Sequence, residues 1–176
     1  KYYLICAFAL SSENITLIAT PNPSTILRLK DIIDNSLEKL LQDIESGNLS
    51  WIKEIDSKKK QRINNKFKPN QLRASQLREL KKEKGSLIMS DIWPNLRLIT
   101  TWTSGNCSTL LPSLKAQLSC KSFISEVGYM SSEFRGTVNL DIENEIQVPT
   151  LNENFFEFVE RDEWGSESPV FFMLHE

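Results

Sequence analysis

Apolar side chains at Ile26, Leu29, Ile33, Leu37, Leu40 and Ile44 recur at steps of three and four residues, which predicts an amphipathic helix with one buried face. Asn22 in front of it is a helix-capping residue, Pro23 suits the first helical position, and Gly47 ends the pattern. Just upstream, Ile15–Ala19 is a short β-prone run broken by Thr20-Pro21-Asn22-Pro23. The apolar run Tyr2–Leu10 has the outline of a secretory signal, with Lys1 before it and Ser11-Ser12 behind. It is near the lower length limit for one, has a single basic residue in front, and is too short to span a bilayer, which favours a buried helix or strand.

Between Lys53 and Lys84 the apolar positions thin out to Ile55, Ile63, Phe67, Leu72, Leu77 and Leu80, and charge takes over. Twelve basic and four acidic residues give this window a formal charge of +8, so the remainder of a chain whose net charge is −2 carries −10. A polar loop through Asn64, Asn65, Pro69 and Asn70 is expected to lead into a helix ending near Gly85, with Leu77 and Leu80 on its buried side. Aromatic residues are not interleaved with the cations as in nucleic-acid stacking platforms. A solvated face or inter-domain surface is therefore favoured over a nucleic-acid site, and a basic arm for an acidic partner is the alternative.

Beyond Trp93-Pro94 the pattern alternates. Leu96–Trp102 reads as a buried strand, Leu110, Leu111, Leu114 and Leu118 as a short helix, and Phe123–Tyr129 as a second strand, the β-α-β order of a parallel sheet. Phe155–Val159 and Val170–Leu174 read as further strands, paired antiparallel. There is no internal repeat. The expectation is one α/β domain over residues 1–176, a mixed sheet with flanking helices.

Composition narrows the chemistry. The 176 residues are 40% hydrophobic, enough for a sizeable core without disulfides or metal. Cys6, Cys107 and Cys120 are odd in number and widely spaced, which matches neither a disulfide framework nor zinc-ligand spacing and suits a reducing, cytoplasmic setting. His175 is the sole histidine and lies next to the last residue, so a Ser/His/Asp or Cys/His arrangement within this chain is excluded as the working hypothesis. Acid–base or metal chemistry falls to carboxylates.

In open α/β sheets, ligands gather at the loops after the strands. The two such loops contain Thr103-Ser104-Gly105 and Tyr129-Met130-Ser131-Ser132-Glu133. The second supplies a flat ring that can stack on adenine, hydroxyls and backbone N–H groups that can bond a phosphate, and a carboxylate for the oxygen-seeking Mg²⁺. Ser-Ser-Glu is equally an ordinary capping or turn sequence, and these residues alone leave both readings open.

Trp93-Pro94-Asn95-Leu96, Thr103-Ser104-Gly105, Gly128-Tyr129-Met130-Ser131-Ser132-Glu133, Gly136 and Phe156-Glu157-Phe158, in this order and at close spacing, resemble the auxin-responsive promoter family of acyl-acid amido synthetases. That family joins carboxylic acids to amino acids and belongs to the adenylate-forming superfamily. Its nucleotide motif, Tyr-Gly/Ala-Ser-Ser-Glu, is matched at four of five positions, with Met130 in place of the small residue. The resemblance implies a bacterial-type member that uses ATP and Mg²⁺. Tyr129 would lie against adenine with Met130 in its slot, Ser131 and Ser132 on the phosphate side, and Glu133 as the catalytic, Mg²⁺-holding residue. Thr103, Ser104 and Gly105 stand where the family has Thr-Gly-Ser or Thr-Gly-Gly, at the wall between acyl group and nucleotide. Phe156-Glu157-Phe158 is similar to an aromatic-Glu-Phe strand of the family, its phenylalanines being read as core.

A Ser/Thr/Gly-rich phosphate loop and a Tyr-Arg-x-Gly-Asp ribose segment, both family elements, do not occur in the sequence. The resemblance implies that they lie upstream of Lys1 and beyond Glu176. The chain would then be an internal piece of the large N-terminal adenylating domain, with the rest of the same polypeptide as partner. Substrates would be a small carboxylic acid and an amine or amino acid, with no membrane involved. An acyl-CoA synthetase-like ligase and a non-catalytic scaffold with a basic arm are the rival readings.

Overall fold

The computed structural model describes residues 1–49, 57–144 and 146–173. Lys53, Ile55, Leu174 and His175, named above, lie outside them. The chain divides into two compact units, Lys1–Glu126 and Val127–Glu176.

In the first unit the apolar run near the start is a helix, α1 (Tyr2–Ser11), and the β-prone run is a short strand, β1 (Leu17–Ala19). The periodic segment is α2 (Pro23–Ser46). The Asn22 side chain accepts the Ser24 N–H at 2.9 Å at its start, and Gly47 closes it in the left-handed conformation. Ile26, Ile33, Leu40 and Ile44 are fully buried against Cys6, Ala7 and Leu10 of α1, as the three/four spacing requires.

The basic window forms two helices, α3 (Ser57–Lys66) and α4 (Gln71–Lys84). This corrects the expected loop: Asn64 and Asn65 are helical, and only residues around Pro69 and Asn70 turn the chain. The reason is tertiary. Phe67, at the end of α3, is buried and meets the Phe8 ring edge-on at 5.0 Å, an anchor that outweighs the weak helix preference of asparagine. Asn70 caps α4 by accepting the Arg73 N–H, and Leu77 is buried while Leu80 packs beside the core. Lys58, Lys59, Arg62, Lys66, Lys68, Lys81 and Lys82 are exposed, a solvated basic face.

A short helix, α5 (Met89–Ile92), precedes β2 (Leu98–Thr101). A 3₁₀ turn (Gly105–Leu110) then runs into α6 (Leu111–Lys115), which buries Leu114, and β3 (Phe123–Glu126) follows. The sheet order is β1-β2-β3, all parallel, with Leu98 opposite both Leu17 and Phe123, so the expected β-α-β unit is present. Both strands are shorter than predicted. Parallel pairing puts every carboxyl end on one edge. There the Trp102 N–H and Thr101 Oγ1 donate to the Pro21 carbonyl at 2.8 and 3.0 Å, tying the exit of β2 to that of β1.

The second unit is built from antiparallel pairs. β4 (Thr137–Asp141) pairs with β5 (Ile146–Pro149), and β6 (Phe158–Val159) pairs with β7 (Phe171–Phe172). The first pair was not anticipated, although Val138 and Val148 flank a turn in which Asp141 Oδ1 accepts the N–H groups of Glu143 and Asn144. Phe156 and Phe158 are not core: they stack at 6.4 Å on the unit's surface, with Phe158 40% exposed. Parallel and antiparallel pairing thus both occur, in separate sheets, within an α/β fold flanked by helices.

Candidate functional site

Tyr129-Met130-Ser131-Ser132-Glu133 forms the tip of a tight hairpin. Met130 and Arg135 make an antiparallel bridge, the Ser131 N–H donates to the Phe134 carbonyl at 2.7 Å, and the Gly136 N–H donates to the Tyr129 carbonyl at 2.7 Å. The hairpin is rooted in the β4–β5 ribbon: the Tyr129 N–H donates to Thr137 Oγ1, which donates to Gln147 Oε1. At the tip, Ser131 Oγ donates to Glu133 Oε2 at 2.9 Å and accepts the Glu133 N–H at 3.3 Å. These are the bonds of a turn, so the ordinary structural reading of Ser-Ser-Glu accounts for the local conformation.

That turn leaves the chemistry outward. Tyr129 is 71% exposed, its ring fixed edge-on by Phe134 at 5.6 Å, and Phe134 in turn faces Phe156 at 6.4 Å. Ser131, Ser132 and Glu133 are exposed. Two glycines make this shape possible. Gly128 has φ +99°, and a Cβ there would sit 2.8 Å from the Thr137 carbonyl oxygen; a Cβ at Gly136 would sit 2.6 to 2.7 Å from the Phe134 and Tyr129 rings. Gly128→Ala is therefore expected to loosen the hairpin by about 1–3 kcal/mol. This would be read as amide exchange in 129–137 faster by about tenfold or more, while the first unit's core stays protected.

Glu133 offers one carboxylate beside hydroxyl oxygens, and among the described residues no three His, Cys, Asp or Glu side chains converge on a point. Such a donor set fits a hard cation that keeps water and substrate phosphate as its other ligands, which is the habit of Mg²⁺.

In the first unit, Thr103, Ser104 and Gly105 follow β2 at the carboxyl edge of the sheet. They are bound by a residue that the sequence reading passed over. Glu126, at the end of β3 and 7% exposed, accepts on one oxygen, Oε2, from Thr103 N at 2.7 Å, Thr103 Oγ1 at 2.7 Å, Ser104 N at 3.1 Å and Ser104 Oγ at 3.2 Å. The available signal was an acid placed inside an apolar β-prone run, which calls for internal donors if it is buried. A cavity of about 420 Å³ lined by Glu13, Arg73, Gln76, Lys84 and Asp91 contains none of the predicted site residues.

Residues 1–120 match the family described as the GH3 family N-terminal domain, about two thirds of the chain. The chain belongs to the GH3 family. No curated protein matches its sequence. Among solved structures, it is similar to an AtGH3.15 acyl acid amido synthetase in complex with 2,4-DB, with a TM-score of 0.78 at 23% identity over 98% of this chain and 30% of the other. It is similar also to a GH3.15 acyl acid amido synthetase, with a TM-score of 0.77 at 21% identity over 98% and 31%. At these identities the likeness is one of fold, and the chain spans about a third of the length of the structures it matches. Membership of the GH3 family agrees with the resemblance carried by Trp93–Phe158, and the α/β fold is that of the GH3 family N-terminal domain. Glu126 and the Tyr129 hairpin lie past the residues matched to the GH3 domain. Among the described residues no helix is long and apolar enough to cross a membrane.

Proposed function

We propose that the protein carrying this chain is an ATP-dependent acyl-acid amido synthetase of the GH3 family. It would activate a small carboxylic acid as an acyl-adenylate and pass the acyl group to an amine or amino acid. Residues 1–176 form part of its adenylating domain, and a cytoplasmic site of action fits its three free cysteines. The observation that carries the reading is the outward-facing hairpin, with the Tyr129 ring, the Ser131 and Ser132 hydroxyls and the Glu133 carboxylate in consecutive positions within a GH3 chain.

In this reading Tyr129 gives adenine a ring already oriented by Phe134, and Met130 borders the same slot. Ser132 Oγ donates to the α-phosphate, and Ser131 turns Glu133 into place through its hydroxyl. Glu133 would hold Mg²⁺, which would supply positive charge to neutralise the phosphates. Thr103, Ser104 and Gly105 form the wall between acyl group and nucleotide. The acid's carboxylate oxygen attacks the α-phosphorus and pyrophosphate leaves. The amine's lone pair then attacks the activated carbonyl, AMP leaves with the bonding electrons, and the amine loses its proton.

The test is acid-dependent ATP–pyrophosphate exchange by the full-length protein over a panel of aryl and aliphatic acids, followed by trapping with amino acids or with coenzyme A. Exchange together with amide formation is expected. Thioester formation alone would assign an acyl-CoA synthetase-like ligase instead, and no exchange with any acid would leave a binding module.

A further inference from the structure

Glu126 has no place in the mechanism above, yet it is the most heavily bonded of the described carboxylates near either loop. A buried carboxylate is costly unless charge-assisted hydrogen bonds offset its desolvation, and here four donors from two adjacent residues converge on a single oxygen. Thr101 and Glu126 are register partners on β2 and β3, so the carboxylate reaches across the sheet at the point where β2 ends. The four donors are the N–H groups and the hydroxyls of Thr103 and Ser104, so the carboxylate holds both residues by backbone and side chain. Gly105 follows at φ +58°, and the space where its Cβ would stand is open.

We propose that Glu126 is a positioning residue that fixes the conformation of Thr103-Ser104-Gly105, so that this turn acts on the acyl substrate by its shape and by the open approach at Gly105. The role of the turn as the acyl–nucleotide wall rests on the function proposed above; the hold of Glu126 on it does not. Two consequences separate this from simple support of the fold. The turn's amides should be protected by Glu126 specifically, and the catalytic effect should fall on the acid rather than on ATP.

The experiment uses the full-length protein with Glu126→Gln, Thr103→Val and the double variant. Glutamine keeps the size and can turn its amide oxygen to the place of Oε2, so it removes the charge that strengthens the four bonds and puts an NH₂ group where the other carboxylate oxygen stood. Hydrogen exchange of the peptide covering Trp102–Asn106 is expected to speed up by about tenfold or more in Glu126→Gln, with the α2 core unchanged. For acid-dependent exchange, kcat/KM for the acid is expected to fall by about 10–10²-fold, with KM for ATP changed less than about threefold. Thr103→Val should add little on top of Glu126→Gln, since both break one network, while Thr103→Ser, which keeps the hydroxyl, should keep the protection at 102–106. Unchanged exchange at 102–106, or additive effects of the two substitutions, would overturn the proposal. If Glu126→Gln does not fold, Thr103→Val and Ser104→Ala, each of which removes a single donor, give the same exchange readout. If the wild type activates no acid, the proposed function fails, while protection at 102–106 still decides what Glu126 does.

Discussion

Replacing Glu133 by glutamine in the full-length protein is expected to leave folding intact and to lower acid-dependent ATP–pyrophosphate exchange by about 10²-fold, the scale of losing one preorganised electrostatic contact. The structure makes the two halves of this expectation separable. Glu133 is exposed, and its internal bonds are the one accepted from Ser131 Oγ and the backbone N–H donated back to it. A glutamine amide oxygen can accept from Ser131 as the carboxylate does, so a purely structural turn would lose almost nothing. A neutral amide is, however, a much weaker ligand for Mg²⁺. The loss should therefore shrink as Mg²⁺ is raised, and exchange measured over a Mg²⁺ titration checks this. Unchanged exchange with unchanged metal dependence would remove Glu133 from the role and leave it a turn residue.

The contrast between what could and could not be read along the chain follows from the range of the interactions. Asn22, Pro23 and Gly47 bound α2 through contacts within a few residues, and its apolar spacing repeats over many turns, so both ends and the buried face were legible. The β-α-β order survived for the same reason. The end of α3 was not legible, because what makes Asn64 and Asn65 helical is Phe67 packing on Phe8, a contact that spans most of the first unit's early helices. Glu126 is the sharper case. β3 buries Ser125 and Glu126 and leaves Phe123 45% exposed, the reverse of what hydrophobicity suggests. Only the turn that follows β2, more than twenty residues earlier and brought alongside by the strand pairing, supplies the donors that make this tolerable. At the Tyr129 hairpin the chemistry of the side chains was legible, but the turn that presents them was one of two readings, and Gly128 and Gly136 decide it through contacts a sequence pattern does not display.

Arg73 is a stronger determinant of stability than Arg78, although of the two it is Arg78 that forms ion pairs with carboxylates. Arg78 bridges Glu38 and Glu45 from a partly exposed position, and pairs of that kind contribute at most about 1 kcal/mol. Arg73 is 5% exposed and donates to two helix ends, Nε to the Leu10 carbonyl at 3.1 Å and Nη2 to the Ile92 carbonyl at 2.5 Å. Burial draws its pKa down from the ordinary arginine value and Glu13 pushes it back up, while the guanidinium itself stays charged. It belongs to a set of three side chains that close the end of α1. Trp93 Nε1 donates to the Ala9 and Ser12 carbonyls and Asn70 Nδ2 to that of Ser11, so four successive carbonyls find donors distant in sequence. Arg73→Met keeps most of the side chain's apolar length but strands two buried carbonyls that had charge-assisted partners, each bond being worth about 1.5–3 kcal/mol. A loss of about 3 kcal/mol or more is expected for Arg73→Met, against less than about 1 kcal/mol for Arg78→Met. Urea unfolding of both variants beside the wild type measures the two values directly. If the order came out reversed, surface ion pairing between α2 and α4, rather than the buried closure of α1, would be what holds the first unit together.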